Sequence, residues 1–272
     1  MRFGLTVPNL HEYADASLLA DLAAEAEAAG WDAFFLWDHI LYRRDPVFPA
    51  VDPWVAMTAV ALRTSRVLLG PMVTPLARRR PSDVARQTTT LDHLSGGRLV
   101  FGAGLGSPPD AEFEAFGEDD DARRRGDRLD EALDVLCGLW SGERFSFDGT
   151  YHQVVDVTFR PVPVQRPRPP IWIAGLLPNR RPFRRAARFE GVFDVVAGRN
   201  GPGGVAEVVE VLAAERGRLD GFDIVIEGRS PGPFRPAELA AAGATWWLED
   251  ISWRRAPLPE LRARIADGPP SL

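Results

Sequence analysis

The chain alternates short apolar runs with longer segments in which apolar residues recur every three or four positions. The first half contains four apolar runs of strand type, at residues 1–7, 33–37, 67–69 and 98–103. Segments of helical spacing follow them, as in residues 18–29, where the pattern ends at Gly30. This order of strand and helix predicts parallel strands joined by crossover helices.

The same alternation continues in the second half. Strand-type runs at residues 171–174, 191–196, 222–226 and 245–248 are separated by segments of helical spacing. Short β-type pieces at residues 144–147 and 154–159 and a proline-rich connector at 161–170 lie outside the repeat. Eight strands alternating with helices favour a closed (β/α)8 TIM barrel over a doubly wound open sheet. A length of 272 residues suits one such domain over residues 1–272.

A glycine-rich segment at residues 91–107 is the most informative local pattern. Gly96 and Gly97 are placed to stop a helix, and the strand at residues 98–103 follows them. Three further glycines follow in and beyond this strand, and their missing Cβ atoms let the backbone approach a flat ligand or a phosphate. A packed turn without ligand fits the spacing equally well. The glycines concerned occupy alternate positions: Gly102, Gly104 and Gly106.

Composition narrows the function classes. The net charge of -6 gives no reason to propose nucleic-acid or membrane partners. All 32 basic residues are arginine, which excludes a Schiff-base lysine. The one cysteine, Cys137, lies in a helical apolar pattern and is predicted to be an inert buried thiol. The four histidines show no metal-ligand spacing, so no metal site is predicted: His11, His39, His93 and His152.

The N-terminal residues show no signal-peptide pattern, and no apolar run approaches the length of a membrane span. We therefore expect a cytoplasmic protein.

A barrel predicts where the chemistry lies, because barrel active sites form at the carboxyl ends of the strands. Asp38 and His39 follow the second predicted strand, and Met72, Val73 and Thr74 follow the third. The other predicted strand ends are rich in glycine and arginine. No GxSxG elbow, HExxH motif or paired glycosidase carboxylates occur.

These motifs resemble the bacterial-luciferase-like superfamily of flavin- and deazaflavin (F420)-dependent oxidoreductases. The matching segments occur in the family's order over roughly residues 1–200. They are WDHI at 37–40, VTPLARRRP at 73–81, TTTLDHLSGGRLVFGAGLG at 88–106 and PPIWIAG at 169–175. The resemblance implies a (β/α)8 barrel, and because the chain is short for the family, it implies a reduced or absent long insertion.

The resemblance also implies roles for single residues. Met72 and Val73 align with a non-prolyl cis peptide that supports the cofactor ring in many members. The catalytic residues implied are Asp38 and His39, which align with a pair near the reactive edge of the ring in F420-dependent relatives. His39 would either exchange a proton there or only shape the pocket. Further cofactor-binding positions are Thr74, which follows the third predicted strand, and the glycine loop of Gly104, Leu105 and Gly106.

The loop after Ala174 and Gly175 would hold a cofactor phosphate, with added charge from Arg180 and Arg181 unless these form a solvated face. One departure concerns the sugar-phosphate dehydrogenase branch of the family, in which a catalytic acid follows the glycine loop. Ser107 occupies that position here, which argues against that type of alcohol oxidation.

The cofactor implied is F420, with FMN as the alternative. The arginines at 78–80 are predicted to meet the acidic tail of F420. F420 implies hydride transfer to or from a small organic substrate, whereas FMN implies an oxygen-using monooxygenase served by a separate reductase. A non-catalytic flavin-binding or partner subunit and a barrel enzyme without flavin stay open, and a homodimer is expected. Four tryptophans are candidates for an apolar substrate wall or for core: Trp31, Trp37, Trp54 and Trp172.

Overall fold

The predicted barrel is confirmed. The structure is a computed structural model that describes residues 1–194, 198 and 200–272. Over these residues, nine strands form one parallel sheet in the order β3-β2-β1-β11-β10-β9-β8-β5-β4. Its strands are β1 (Arg2–Val7), β2 (Ala33–Leu36), β3 (Leu68–Pro71), β4 (Thr74–Pro75), β5 (Phe101–Gly104), β8 (Ile171–Ala174), β9 (Gly191–Asp194), β10 (Asp223–Gly228) and β11 (Trp246–Asp250).

A separate antiparallel hairpin, β6 (Arg144–Asp148) and β7 (Gln153–Thr158), occupies the region predicted to lie outside the repeat. Helices cover the outside of the barrel, and their apolar faces form the larger core with the outward faces of the strands. The helices are α1 (Ala16–Ala28), α2 (Pro53–Arg63), α3 (Pro81–Ser95), α4 (Pro109–Glu112), α5 (Ala122–Ser141), α6 (Arg181–Ala186), α7 (Gly201–Arg216), α8 (Pro236–Ala241) and α9 (Leu258–Ala266).

The third strand of the barrel is interrupted. Its first part, β3, pairs with β2, its second part, β4, pairs with β5, and the Met72–Val73 peptide between them is cis. A parallel bridge between Leu69 and Leu99 joins β3 to the segment that leads into β5, which closes the sheet. The two parts count as one barrel strand, so the described sheet has the eight-strand arrangement predicted from the alternation.

Several strand bounds differ from the predicted ones. Residues 70–75 were predicted as a loop, but Gly70 and Pro71 pair with β2 and therefore continue the strand. The last strand extends to Asp250, because Glu249 and Asp250 pair with β1. The prediction for residues 191–196 holds through Asp194, and its last two positions lie outside the described residues.

Side chains fill the interior of the barrel below its mouth, as expected of a packed barrel. They come from alternate positions of the strands and form a second apolar cluster: Ala33, Phe35, Met72, Val100, Trp172, Phe193, Val225, Trp246 and Leu248. No described helix is long and apolar enough to cross a membrane. Within the described part of the chain, no group of three or more potential metal ligands occurs.

A buried arginine explains the SGGR motif. The Arg98 guanidinium donates hydrogen bonds of 2.8–3.0 Å to the carbonyl oxygens of Ala61, Thr64, Val67 and Ser95 and to the Thr64 hydroxyl. Carbonyls at the end of α2 carry partial negative charge, so they suit a cation that lacks a direct carboxylate contact. Arg98 thereby fastens the ends of α2 and α3 to the strands that follow them.

Glu27, in the last turn of α1, holds the start of β3 in place. Its carboxylate accepts the backbone N–H groups of Ser65, Arg66 and Val67 at 2.6–3.0 Å and the Ser65 hydroxyl at 3.0 Å. Burial raises the pKa of Glu27, but these donors outweigh burial and hold the pKa at about 2, below its ordinary value of 4.5.

We expect Glu27→Gln to lower the free energy of unfolding by about 1–2 kcal/mol at pH 7, because an amide oxygen accepts these N–H groups more weakly than a carboxylate. The folded-state pKa lies below the ordinary one, so this stabilisation is complete above about pH 5 and is lost as the pH falls toward about 2. Urea unfolding across that range should show the two proteins converging at acid pH. The exposed Glu260→Gln is the control and should match the parent throughout; a gap independent of pH would contradict the charge argument.

Candidate active site

His39 is held rigidly at the mouth of the barrel, just after β2. The buried side chain of Asn9 donates to the His39 carbonyl at 2.8 Å and accepts its backbone N–H at 3.1 Å. The same amide donates to the carbonyl of Val51, ahead of α2. The loops after β1 and β2 are therefore locked together around His39.

A buried carboxylate orients the His39 ring. His39 Nδ1 lies 2.9 Å from Glu112 Oε1, and the side chains are 16% and 0% exposed. The same oxygen accepts the backbone N–H of Ile40 at 3.2 Å. A carboxylate can only accept, so Nδ1 carries a proton, and Nε2 is the ring nitrogen left to meet a ligand. Among the described residues, none makes a hydrogen bond with Nε2.

Glu112 was missed by the sequence analysis. It lies at the end of the short helix α4, 73 positions from His39. The prediction looked for an acid directly after the glycine loop, where Ser107 lies, whereas the chain brings an acid to His39 from five positions further on. Glu112 in the sequence segment EFEAFG carries no local signal that distinguishes it from the exposed acids nearby.

Two arginines neutralise the carboxylates behind His39. Arg78 and Arg79 both contact Asp38 Oδ1, at 2.8 and 2.7 Å, and Arg78 Nε lies 3.1 Å from Glu112 Oε2. The two arginine side chains are only 8% and 15% exposed, and both carboxylates are fully buried. Such a buried set is tolerated because every charge has a partner of opposite sign.

This network corrects one prediction and changes the interpretation of another. Arg78 and Arg79 were expected to meet the acidic tail of a cofactor, but they point inward to Asp38, and only Arg80 is exposed. Asp38 itself was predicted to act beside His39 in catalysis. Its buried, doubly ion-paired carboxylate instead supports the backbone from which His39 projects.

The interrupted third strand forms one wall of the mouth. A Cβ atom added at Gly104 would lie 2.5 Å from Val73 Cγ2, and one at Gly102 would lie 2.3 Å from the Pro71 carbonyl oxygen. These two glycines are therefore required by the close approach of the β3–β4 segment. Gly106 differs, because it adopts a φ of +79° in the loop beyond β5.

The same wall carries small side chains at two neighbouring strand ends. Gly104 and Ala174 are neighbours at the ends of β5 and β8, since a Cβ at Gly104 would lie 3.2 Å from the Ala174 Cβ. Small residues at both strand ends leave this side of the mouth without large side chains. The hydroxyl of Thr74 is buried there and lacks a hydrogen-bond partner among the described residues. This hydroxyl is therefore free to meet a polar partner.

Arg125 supports the glycine loop from below. Its guanidinium donates to the carbonyl oxygens of Leu105 and Gly106 at 2.9 and 3.0 Å and lies over the ring of Phe113 at 4.5 Å. The run of charged residues around Arg125 is typical of a solvated helix entry, but Arg125 is only 6% exposed. In the sequence, the burial of Arg125 is indicated only by its position one turn into an amphipathic helix.

The predicted phosphate loop is only partly arranged as expected. The Gly175 N–H donates to the Phe193 carbonyl at 3.0 Å, which places the loop directly beyond β8. Arg181 is engaged by Asp127 and Asp130 of α5 at 2.5 and 2.7 Å, so its charge is already neutralised. Arg180 is exposed and retains its charge for a ligand.

The four candidate tryptophans separate into core and mouth. Three of them are buried, with exposures of 3%, 5% and 1%: Trp31, Trp54 and Trp172. Trp172 lies inside the closed end of the barrel, where its indole N–H is 3.2 Å from the Asp223 carboxylate. Only Trp37 lies at the mouth, with its ring 5.8 Å from that of His39.

A model of the luciferase-like monooxygenase family matches residues 1–243. An F420-dependent glucose-6-phosphate dehydrogenase of Nakamurella multipartita is 37% identical over 156 residues, covering 54% of this chain and 45% of that protein. An F420-dependent hydroxymycolic acid dehydrogenase of Mycobacterium tuberculosis is 31% identical over 215 residues, covering 78% and 55%. The chain thus spans about half the length of these curated relatives.

A solved structure extends the likeness of fold to almost the whole chain. The coenzyme F420 dependent tetrahydromethanopterin reductase from Methanopyrus kandleri superposes with a TM-score of 0.75 over 97% of this chain and 96% of that one. Its sequence identity is 17%, so the superposition concerns the fold alone.

The contact between Val73 and Gly104 predicts a sharp steric effect. We expect Gly104→Ala to lower the free energy of unfolding by about 1–3 kcal/mol, because the added methyl group overlaps the Val73 side chain. Gly203→Ala is the matched control, since a Cβ there meets nothing within 4 Å, and it should be neutral or stabilising by up to about 1 kcal/mol. Urea unfolding of both variants measures the difference, and equal effects would contradict the steric argument.

Proposed function

The chain belongs to the luciferase-like monooxygenase family, and on that basis we propose that it is an F420-dependent oxidoreductase that transfers a hydride to or from a small organic substrate. The observation that carries the proposal is the His39–Glu112 pair at the barrel mouth, beside an open wall with an unpaired hydroxyl. The F420-dependent dehydrogenases among the relatives support this choice of cofactor.

The residues that would hold the cofactor ring are Val73, Thr74, Gly104 and Ala174. When bound, F420 supplies hydride chemistry only, because carbon replaces nitrogen at position 5 of its ring. The protein then has to orient the ring, exclude water and manage one proton. The acidic tail of F420 would meet Arg80 and Arg180 on the surface rather than Arg78 and Arg79, which are committed to Asp38.

His39 is the group we assign to the proton. Oxidation of an alcohol removes a hydride from carbon and a proton from oxygen, and Nε2 of His39 is the free basic atom at the mouth. Glu112 accepts a hydrogen bond from Nδ1–H and stabilises the positive charge that the ring acquires. In the reverse direction the protonated ring returns the proton to a carbonyl oxygen as the carbon receives the hydride. Asp38 acts as a positioning residue in this scheme.

An FMN-dependent monooxygenase is the alternative within the same family. It is favoured by the inward orientation of Arg78 and Arg79, which removes two of the three charges that were expected to select F420. A non-catalytic flavin-binding subunit would share the fold but not turnover.

We expect fluorescence titration to show tighter binding of F420 than of FMN. His39→Asn should keep the F420 affinity within about threefold but lower turnover of a secondary alcohol or ketone by about 10²–10⁴-fold, because asparagine cannot exchange the proton. Glu112→Gln should lower turnover by about 10–100-fold, because it leaves the ring without a charged partner.

Glu114→Gln is the matched control for Glu112→Gln. Glu114 lies two positions away, 60% exposed in a surface ion pair with Arg44, and its replacement should leave turnover unchanged. Preferential FMN binding would establish the monooxygenase alternative, F420 binding without turnover would indicate a non-catalytic subunit, and binding of neither cofactor would overturn the proposal.

We also propose that two copies associate through the outer face of α2. Val55 and Leu62 lie seven positions apart on this helix and are 67% and 70% exposed. Large apolar side chains on one exposed helix face are typical of an interface.

Sedimentation velocity should therefore show a dimer that Leu62→Glu converts to monomer, because a carboxylate cannot be buried unpaired. Val155→Glu, on the hairpin strand β7 where Val155 is 80% exposed, should leave the dimer intact. A monomeric parent protein at micromolar concentration would refute the association.

A further inference from the structure

Five aromatic side chains gather at the barrel mouth, and they are called here the mouth cluster: His11, Trp37, Tyr42, Phe48 and Trp253. They come from the segments after β1, β2 and β11, which are adjacent strands of the sheet. We propose that the mouth cluster is the substrate site and that it takes an apolar alcohol or ketone carrying a ring next to the reacting carbon. The proposal rests on the hydride-transfer function argued above.

Trp253 is the centre of the cluster. Its ring is stacked on that of His11 at 5.4 Å and 15°, and it meets Trp37, Tyr42 and Phe48 at centroid distances of 5.7, 5.8 and 5.6 Å. These spacings lie in the range in which aromatic rings attract one another. The ring of a ligand can make contacts of the same kind with these side chains.

The cluster reaches the proposed proton-exchanging group. The rings of Trp37 and Tyr42 lie 5.8 and 5.1 Å from that of His39, both edge to face. A substrate held among the aromatic rings therefore places a substituent next to His39. All five members of the cluster are partly exposed, in contrast to the tryptophans of the core.

The hydrogen-bonding groups closest to His39 are already engaged. The carboxylates nearest to His39, those of Asp38 and Glu112, are buried and ion-paired. The Tyr42 hydroxyl already accepts a hydrogen bond from Arg254, which lies over the rings of Trp37 and Trp253 at 4.9 and 5.5 Å. The two carboxylates and the Tyr42 hydroxyl are therefore already engaged, and sugar hydroxyls lose affinity when they are buried without partners.

The step balances with the cofactor already proposed. The substrate alcohol loses a hydride from its carbinol carbon to F420 and its hydroxyl proton to His39, and a carbon–oxygen double bond forms. The ring attached to that carbon stays unchanged among the aromatic side chains.

The test uses 4'-fluoroacetophenone as the probe, with its binding to the 272-residue chain followed by fluorine NMR, with and without F420. We expect saturable binding, at least tenfold tighter than that of glucose 6-phosphate measured by competition. Phe48→Ala and Trp253→Ala should each weaken probe binding about fivefold or more, because each removes an aromatic contact.

Phe159→Ala is the matched control. Phe159 is also partly exposed under an arginine, with Arg86 4.0 Å from its ring against 3.9 Å for Arg43 over Phe48, but it lies outside the mouth cluster. It should leave probe binding unchanged. Equal effects of Phe48→Ala and Phe159→Ala, no saturable binding, or preference for glucose 6-phosphate would each overturn the proposal.

The outcomes separate this inference from the function on which it rests. Binding of F420 without binding of the probe would reject the substrate class alone. Binding of the probe that depends on Phe48 and Trp253, in a protein that binds neither F420 nor FMN, would support the substrate site and reject the cofactor assignment.

Discussion

The arrangement of the barrel mouth depends on a buried ionic network in which Arg78 links two carboxylates. Arg78 contacts Asp38, which follows β2, and Glu112, which ends α4, while Arg79 gives Asp38 its second partner. Removing one member of such a set leaves a buried charge unpaired, which costs about 3–5 kcal/mol. The network therefore fixes the loops after β2, β4 and β5 relative to one another, and His39 takes its orientation from them.

The close packing of the interrupted strand complements this electrostatic constraint. Val73 occupies the space that a side chain at Gly104 would need, and the Pro71 carbonyl occupies that at Gly102, so the glycines and the strand interruption require each other. This packing also leaves the ends of β5 and β8 lined by small residues. The feature that closes the barrel on this side thus produces the open wall that a flat ring can cover.

Local patterns in the sequence were sufficient for the fold and for the backbone of the site. Period and length distinguished the strands, and the position after a buried strand located His39 correctly at the mouth. They could not locate Glu112, because its contact with His39 spans 73 positions. They also misjudged Arg78 and Arg125, since an arginine in a loop or early helix has the same local pattern whether it faces water or a buried carboxylate or carbonyl.

The ionic network and the mouth cluster contact different sides of His39. Asp38 is ion-paired with arginines, and Glu112 contacts an arginine and the His39 ring. The exposed surface next to His39 is therefore formed by aromatic side chains. Those aromatic residues lie in the segments after β1, β2 and β11, and three of the five lie at least ten positions in sequence from the network residues: His11, Phe48 and Trp253. Replacements there can change which substrate is held without disturbing the buried charges. Under the proposed function, substrate choice and proton exchange would therefore be physically separable.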